Sequence, residues 1–473
     1  MLRSGRSPHL ERGNARSGSG RIGLAVVLVA LPVATVACLP ALLHLVVTSD
    51  SVHYLATASN LAHGQGFVTG LSRPATTWMP LYPVLLAGPI ALTGSMTGAA
   101  IVVNLLAAAA IFILTWLLVR RWRGKVDWFA WFAAGATTLS PAIFRQTLFA
   151  LSETAFAALV LLLIYAATRS ERDRGWIWGV AIAGVAVALT RHVGIFALVG
   201  VAAAWRKPRY WLALLPGAVA AVLWVLLVGT GDQASGWSFQ RGIAGLGLSL
   251  WGTAAIVGGW PMLTLAVLAL AISRKLLGIP VNALLAAMTM LVLTALGAFY
   301  YVAGDLQGRM QIATQVLLVP CLLTAAATIS ADRVFRWAVY AGFAAFILQN
   351  AMSVLNPSYF TSPVSFNAPS WRTRRSLALI KETPTNVDIY TNATDGVWFA
   401  TGRRTYDLPH TDGGVGVKPV QDRGGLVVYF KGLNRACYVQ PEFYKDRVLR
   451  DSTGTQLIDD TGEALIMRVS RAQ

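Results

Sequence analysis

The chain has little charge, less acid and almost no cysteine. Of 473 residues 13% are charged, and 21 acidic side chains stand against 39 basic ones. Soluble domains carry about 25% charged residues. With 55% hydrophobic residues, one aqueous core cannot hide the apolar surface, so the solvent must be lipid. Three cysteines exclude a disulfide scaffold: Cys38 and Cys321 lie in apolar runs, and Cys437 stands alone in the polar C-terminal part. No Gly-Lys-Ser/Thr phosphate loop is present, which argues against ATP-driven transport. His53, His63 and His192 are scattered, with no Cys/His cluster of zinc spacing. No cofactor is expected; Asp50 and Glu153 could share a divalent ion, but nothing demands one. The net charge of +18 does not imply a nucleic-acid partner. The basic residues sit in short clusters between apolar runs, the pattern that orients helices in a membrane.

What is present reads as an all-α polytopic membrane protein with a small C-terminal α/β domain. Residues 1–22, rich in Arg, Ser and Gly, form a basic tail without a fold. The next run holds about 25 apolar residues, longer than the 7–15 of a cleaved signal, and reads as an uncleaved anchor. Runs of near-spanning length give roughly eleven spans, at 23–47, 98–119, 127–144, 153–169, 176–190, 193–205, 210–229, 250–272, 279–302, 310–330 and 337–355. Clusters at Arg120–Lys125, Arg169–Arg174, Arg206–Arg209, Arg274–Lys275 and Arg333–Arg336 occupy alternate loops. Together with the basic N-terminus they mark the cytoplasmic side of a plasma membrane. An odd span count then puts residues 356–473 outside, leaving 23–355 as the membrane domain. Strands are expected at Val387–Asn392, Leu426–Phe430 and Ala464–Val469, with short helices at Trp371–Glu382 and near Val397–Phe399.

The longest loop between spans, 50–97, lies on the outer side. Its 51–63 stretch reads as an amphipathic helix capped by Ser49 or Asp50 and stopped by Gly64 and Gly66. Met79–Leu92 is a second apolar piece, too short to span, that lies in the interface or re-enters.

Ionisable residues collect at the outer span ends: Asp50, Arg145, Glu153, Arg191, His192, Asp305 and Arg309. Charge near hydrocarbon needs a partner or a function. Carboxylates with guanidiniums suit a reaction at a phosphate leaving group, since a carboxylate accepts the proton of an attacking hydroxyl and an arginine fork holds phosphate oxygens. Asp50 is the candidate base, with a helix cap as its plain alternative. His53 and Tyr54, three and four residues on, share its face and could orient it or a sugar. Glu153, the second candidate catalytic carboxylate, could simply cap a helix, and Arg145 in the preceding turn is its candidate partner. Arg191-His192 is positive where the orientation rule expects none, which an anion such as lipid phosphate would explain. Asp305 and Arg309, four apart, could pair with each other, or Arg309 could meet a phosphate.

Asp50-Ser51-Val52-His53-Tyr54, Leu61-Ala62-His63-Gly64-Gln65-Gly66 and Met79-Pro80-Leu81-Tyr82-Pro83 together resemble the first outer loop of the GT-C glycosyltransferases. These are the protein mannosyltransferase and aminoarabinose transferase-like enzymes that use polyprenyl-phosphate sugars. Leu151-Ser152-Glu153-Thr154 resembles their second carboxylate site, and Ala188-Leu189-Thr190-Arg191 the apolar-to-Arg step ending a later span. Gly304-Asp305 to Arg309 resembles their last outer loop, with Met310 where the family pattern has Tyr. The resemblance implies an inverting transfer, metal-independent or weakly metal-assisted, from a polyprenyl-phosphate sugar to a glycan, lipid or protein acceptor. It also implies Asp50 as base and the arginines as phosphate ligands. The rivals are a lipid flippase or transporter without covalent chemistry, a polysaccharide polymerase or ligase, and a membrane scaffold.

Overall fold

The computed structural model describes residues 45–70, 74–75, 78–124, 128–228, 281–297, 311–329, 365–408, 418–431, 433, 455–460 and 463–471. The first described residues are extended. Val46 bridges Phe149 in parallel: its N–H donates to the Leu148 carbonyl at 2.9 Å, and its carbonyl accepts from the Ala150 N–H at 3.1 Å. On the other flank the Phe366 N–H donates to the Val47 carbonyl at 2.8 Å, and Asn367 Nδ2 to the Leu45 carbonyl at 2.8 Å. The helix expected to run through Val47 therefore does not include residues 45–47. Their backbone groups are satisfied by two neighbouring segments instead of by a helical turn.

Helix α1 (Ser49–Ala62) follows. Its cap is Thr48, not Ser49 or Asp50: the Thr48 side chain accepts from the Ser51 N–H, and Ser51 answers with its own side chain on the Thr48 N–H. This reciprocal box satisfies two of the first-turn donors and leaves Asp50 in the first turn as a side chain rather than a cap. Helix α2 (Leu81–Thr93) is the short apolar piece expected in the interface. It ends at Gly94, in the left-handed conformation with φ of 67°, and α3 (Met96–Arg123) starts at once, capped by Ser95.

The expected 127–144 span is broken into α4 (Trp128–Thr138) and α5 (Pro141–Thr147). Pro141 pushes Ser140 out of the helical region, to ψ of 144°. Then come α6 (Glu153–Ser170), α7 (Ile177–Thr190), α8 (Gly194–Trp205), α9 (Pro208–Val228), α10 (Val281–Gly297) and α11 (Ile312–Ile329). Helix α6 is the axis of the bundle, packed by α3, α7 and α11, with α9 against α7 and α10 against α8. Among the described residues α3, α6 and α9 are long and apolar enough to cross a membrane, and five further apolar helices are shorter. The spans read at 250–272 and 337–355 lie outside the described residues. On α9, Leu212, Leu215, Leu226 and Leu227 are each more than half exposed, a face that lipid would solvate and water would not.

The basic helix ends gather. Arg121 Nη2 donates to the Thr168 carbonyl at 3.2 Å, and Arg209 Nη2 to the Ser170 carbonyl at 3.0 Å. Both sit at the end of α6 opposite Glu153. A cavity of about 260 Å³ lined by Trp122, Thr168, Glu171, Trp205 and residues 281–283 lies at that same end.

The C-terminal residues form a five-stranded sheet of order β2-β1-β3-β5-β4, made of β1 (Ile389–Thr391), β2 (Tyr406–Asp407), β3 (Gly425–Phe430), β4 (Thr455–Asp460) and β5 (Ala464–Val469). Strand β1 runs parallel to β2 and β3, and β5 antiparallel to β3 and β4. Strands β1, β3 and β5 fall where the sequence led one to expect strands; the two outermost, Tyr406–Asp407 and Thr455–Asp460, do not. Around the sheet lie α12 (Pro369–Arg372), α13 (Arg375–Glu382), α14 (Thr394–Thr401) and α15 (Lys418–Arg423). Trp371 is buried between Phe366 and Phe430, at ring distances of 5.0 and 4.8 Å. Asn392 spends its amide on Phe430, donating to its carbonyl at 3.0 Å and accepting from its N–H at 2.8 Å. The Asn-Ala-Thr sequence there is thus a structural latch between β1 and β3.

Candidate functional site

Backbone register sets the site. Val46 stands opposite Phe149, and four residues on from each come Asp50 and Glu153, both in the first turn of their helices. Two adjacent chain segments thus deliver two carboxylates to two neighbouring helix starts, where exposed N–H groups and the dipole favour negative charge.

Glu153 is fully buried, and Arg191 Nη1 lies 2.9 Å from its Oε1. The same nitrogen donates to Ser152 Oγ at 3.0 Å. The partner expected for Glu153 was Arg145, but Arg145 is exposed on α5. The chain between α5 and α6 is committed to the Val46 bridge, and Arg191 reaches Glu153 from the far side. Arg191 thus has an anionic partner within the protein, the Glu153 carboxylate.

Arg191 is placed by a break between α7 and α8. Its backbone is extended (φ −150°, ψ 148°), and its carbonyl accepts from the Gly194 N–H at 2.8 Å. A Cβ on Gly194 would come within 2.3 Å of the Val187 carbonyl oxygen. Only glycine lets α8 begin this close to α7.

Tyr54 joins the two carboxylate regions. Its hydroxyl shares a 3.1 Å hydrogen bond with Ser152 Oγ. Its ring meets Tyr82 edge-on at 5.0 Å and Trp78 at 5.2 Å. Burial pushes its phenol up to about 12, opposed by Arg191 and reinforced by Glu153 and Asp50. At neutral pH it is an O–H group and not a base. Ser152 stands at the N-cap position of α6 but makes no side-chain cap bond; its hydroxyl instead links Tyr54 to Arg191.

His53 turns toward the C-terminal sheet unit. Its Nε2 is 3.5 Å from Asp395 Oδ1, and its ring lies 6.2 Å from Trp78. Ser49 Oγ donates to Asp395 Oδ2. Asp395 has no sequence signal tying it to the first loop. His192 is exposed beside Arg191. Asp305 and Arg309 lie outside the described residues. Among the described residues no three His, Cys, Asp or Glu side chains gather as a metal-binding group.

The apolar bundle, the helical first loop and the appended sheet share their overall fold with solved glycosyltransferase structures. The chain is similar to ArnT from Cupriavidus metallidurans bound to undecaprenyl phosphate, with a TM-score of 0.62 and 13% identity over 95% of this chain and 98% of that one. The apo state of the same protein gives 0.60 and 13% over 96% and 98%. Arabinofuranosyltransferase AftD from Mycobacteria gives 0.56 and 15%, with 95% of this chain spanning 40% of AftD. No family model and no curated sequence matches the chain.

Proposed function

We propose that this protein is an inverting glycosyltransferase that moves a sugar from a polyprenyl-phosphate donor to an acceptor hydroxyl on the extracytoplasmic face of the membrane. The observation that carries the reading is the pairing of two helix starts by the Val46–Phe149 bridge. It assembles Asp50, Tyr54, Ser152, Glu153 and Arg191 at one end of an apolar bundle whose fold is that of undecaprenyl-phosphate-bound ArnT. In the proposed step the acceptor oxygen attacks the anomeric carbon while Asp50 takes its proton. The bond from that carbon to the phosphate oxygen breaks, and polyprenyl phosphate leaves with the bonding pair. Glu153 is neutralised by Arg191 and buried, so it serves as the anchor for the guanidinium. Arg191 carries five N–H donors, and both of its contacts above use Nη1. The rest of the fork supports binding of the departing phosphate. Arg309 is the second candidate cation, and His53, His192, Arg145 and Asp305 are candidates for holding substrate around it.

The test uses purified full-length protein in lipid nanodiscs with radiolabelled undecaprenyl-phosphate sugars and membrane extract as acceptor. Release of undecaprenyl phosphate with label transferred to the extract supports the reading. Movement of intact lipid between leaflets without release would make the protein a flippase.

A further inference from the structure

We infer that Asp395, carried by the C-terminal sheet unit, is a positioning residue for α1 and so for Asp50. Asp395 accepts from Ser49 Oγ and faces His53 Nε2 at 3.5 Å. These two residues flank Asp50 on the same first turn and a half of α1. One carboxylate therefore grips the helix one residue before and three residues after the proposed base. It is also a rigid grip. Asn392, three residues earlier, is latched to Phe430 by both amide atoms. Gly396, one residue later, packs so closely that an added Cβ would lie 2.5 Å from Phe366 and 2.6 Å from Trp371. Phe366 in turn donates its N–H to Val47 at the entry to α1. The remaining seam is equally close: a Cβ on Gly70 would meet the Trp398 ring at 2.6 Å. The sheet unit thus clamps the first loop at residues 47, 49, 53 and 70.

Asp395 in the first turn of α14 would serve its own helix dipole whether or not it touched α1. That plain role predicts lost stability of α14 and nothing specific at Asp50. A positioning role predicts more, because small misplacement of a reacting group costs up to about 10²-fold in rate. The inference rests on the transferase reading for its kinetic arm and on geometry alone for its structural arm.

The experiment compares full-length wild type, D395A, D395N, S49A, D395A/S49A and D50N in nanodiscs. Hydrogen exchange of the amides at 51–58 is measured alongside turnover of the undecaprenyl-phosphate sugar that wild type accepts. The expected result is faster exchange across α1 in D395A with the sheet amides at 426–430 unchanged. In turnover, kcat falls about 10- to 100-fold, with little change in the donor KM. D395N, which keeps an acceptor for Ser49, falls between, and D395A/S49A is no slower than D395A. Unchanged exchange in α1 overturns the inference whatever the turnover. So does a kcat loss in D395A that multiplies in full with that of S49A. If D50N turns over as fast as wild type the transferase reading fails, and the exchange result still decides on Asp395.

Discussion

Glu153 Oε1 and Arg191 Nη1 lie 2.9 Å apart, one fully buried and the other nearly so. The pair ties the start of α6 to the break between α7 and α8. Removing one partner from a buried pair costs about 3–5 kcal/mol, because the other charge is left without compensation. E153A and R191A are each expected to lower the thermal unfolding midpoint by several degrees. R191K keeps the charge beside Glu153 but loses the further N–H donors of the planar fork that the proposed phosphate would use. In R191K stability should be largely retained while turnover falls at least tenfold. A lysine variant with full turnover would remove Arg191 from the phosphate site.

Asp50 follows a cap supplied by Thr48, so its carboxylate is not required for α1 to start. D50N should therefore leave folding intact and lower transfer by about 10²–10⁴. The check is radiolabel transfer beside a thermal melt of the same preparation. Full transfer from well-folded D50N excludes the base role.

Tyr54 carries its own pH signature. Its folded phenol is raised from 10.0 to about 12, so the unfolded chain releases this proton first as the pH climbs. Stability from this group is complete below pH 10 and is lost between about pH 10 and 12, by roughly 3 kcal/mol. Y54F should melt lower at neutral pH by about 1 kcal/mol for the missing Ser152 contact, and should lack this alkaline loss. Melting curves from pH 8 to 12 on both proteins check it. An identical alkaline slope in Y54F would assign the loss to other groups.

The apolar runs alone announce the helices, because lipid demands about 20 residues of hydrocarbon contact and the chain supplies them in blocks. The helix of the first loop and strands β1, β3 and β5 are legible for a similar reason, as local pattern matches local structure. What pattern cannot show is which loop lies beside which. Thr48, Ser49, Asp50 and Ser51 are all acceptable caps, and the choice of Thr48 follows from the extended pairing of residues 45–47 just before it. Arg145 is the nearer guanidinium to Glu153 in sequence, yet Arg191 is the partner in space. Ser152 looks like a cap and works as a link. Asp395 meets α1 only because the sheet unit folds back onto Leu45 and Val47. Asp305 and Arg309 lie outside the described residues, so their part in the site rests on sequence.

Gly194 offers the sharpest test of how the fold places the site. It touches none of the candidate residues with a side chain. It allows α8 to start against the Val187 carbonyl, where a Cβ would sit at 2.3 Å and only backbone could yield. Arg191 is held in that same turn by its carbonyl bond to the Gly194 N–H. G194A must therefore separate α7 from α8 or unwind the turn, and either movement withdraws Arg191 from Glu153 and Ser152. Overpacking of this kind costs about 1–3 kcal/mol, which a bundle of this size can survive folded. The expected variant is a folded protein with weakened undecaprenyl phosphate binding and at least tenfold lower turnover. A melt, a titration with undecaprenyl phosphate and the transfer assay would report it. If G194A binds and turns over like wild type, the helix break does not set the position of Arg191, and the arginine's role must be argued from a different conformation of the turn.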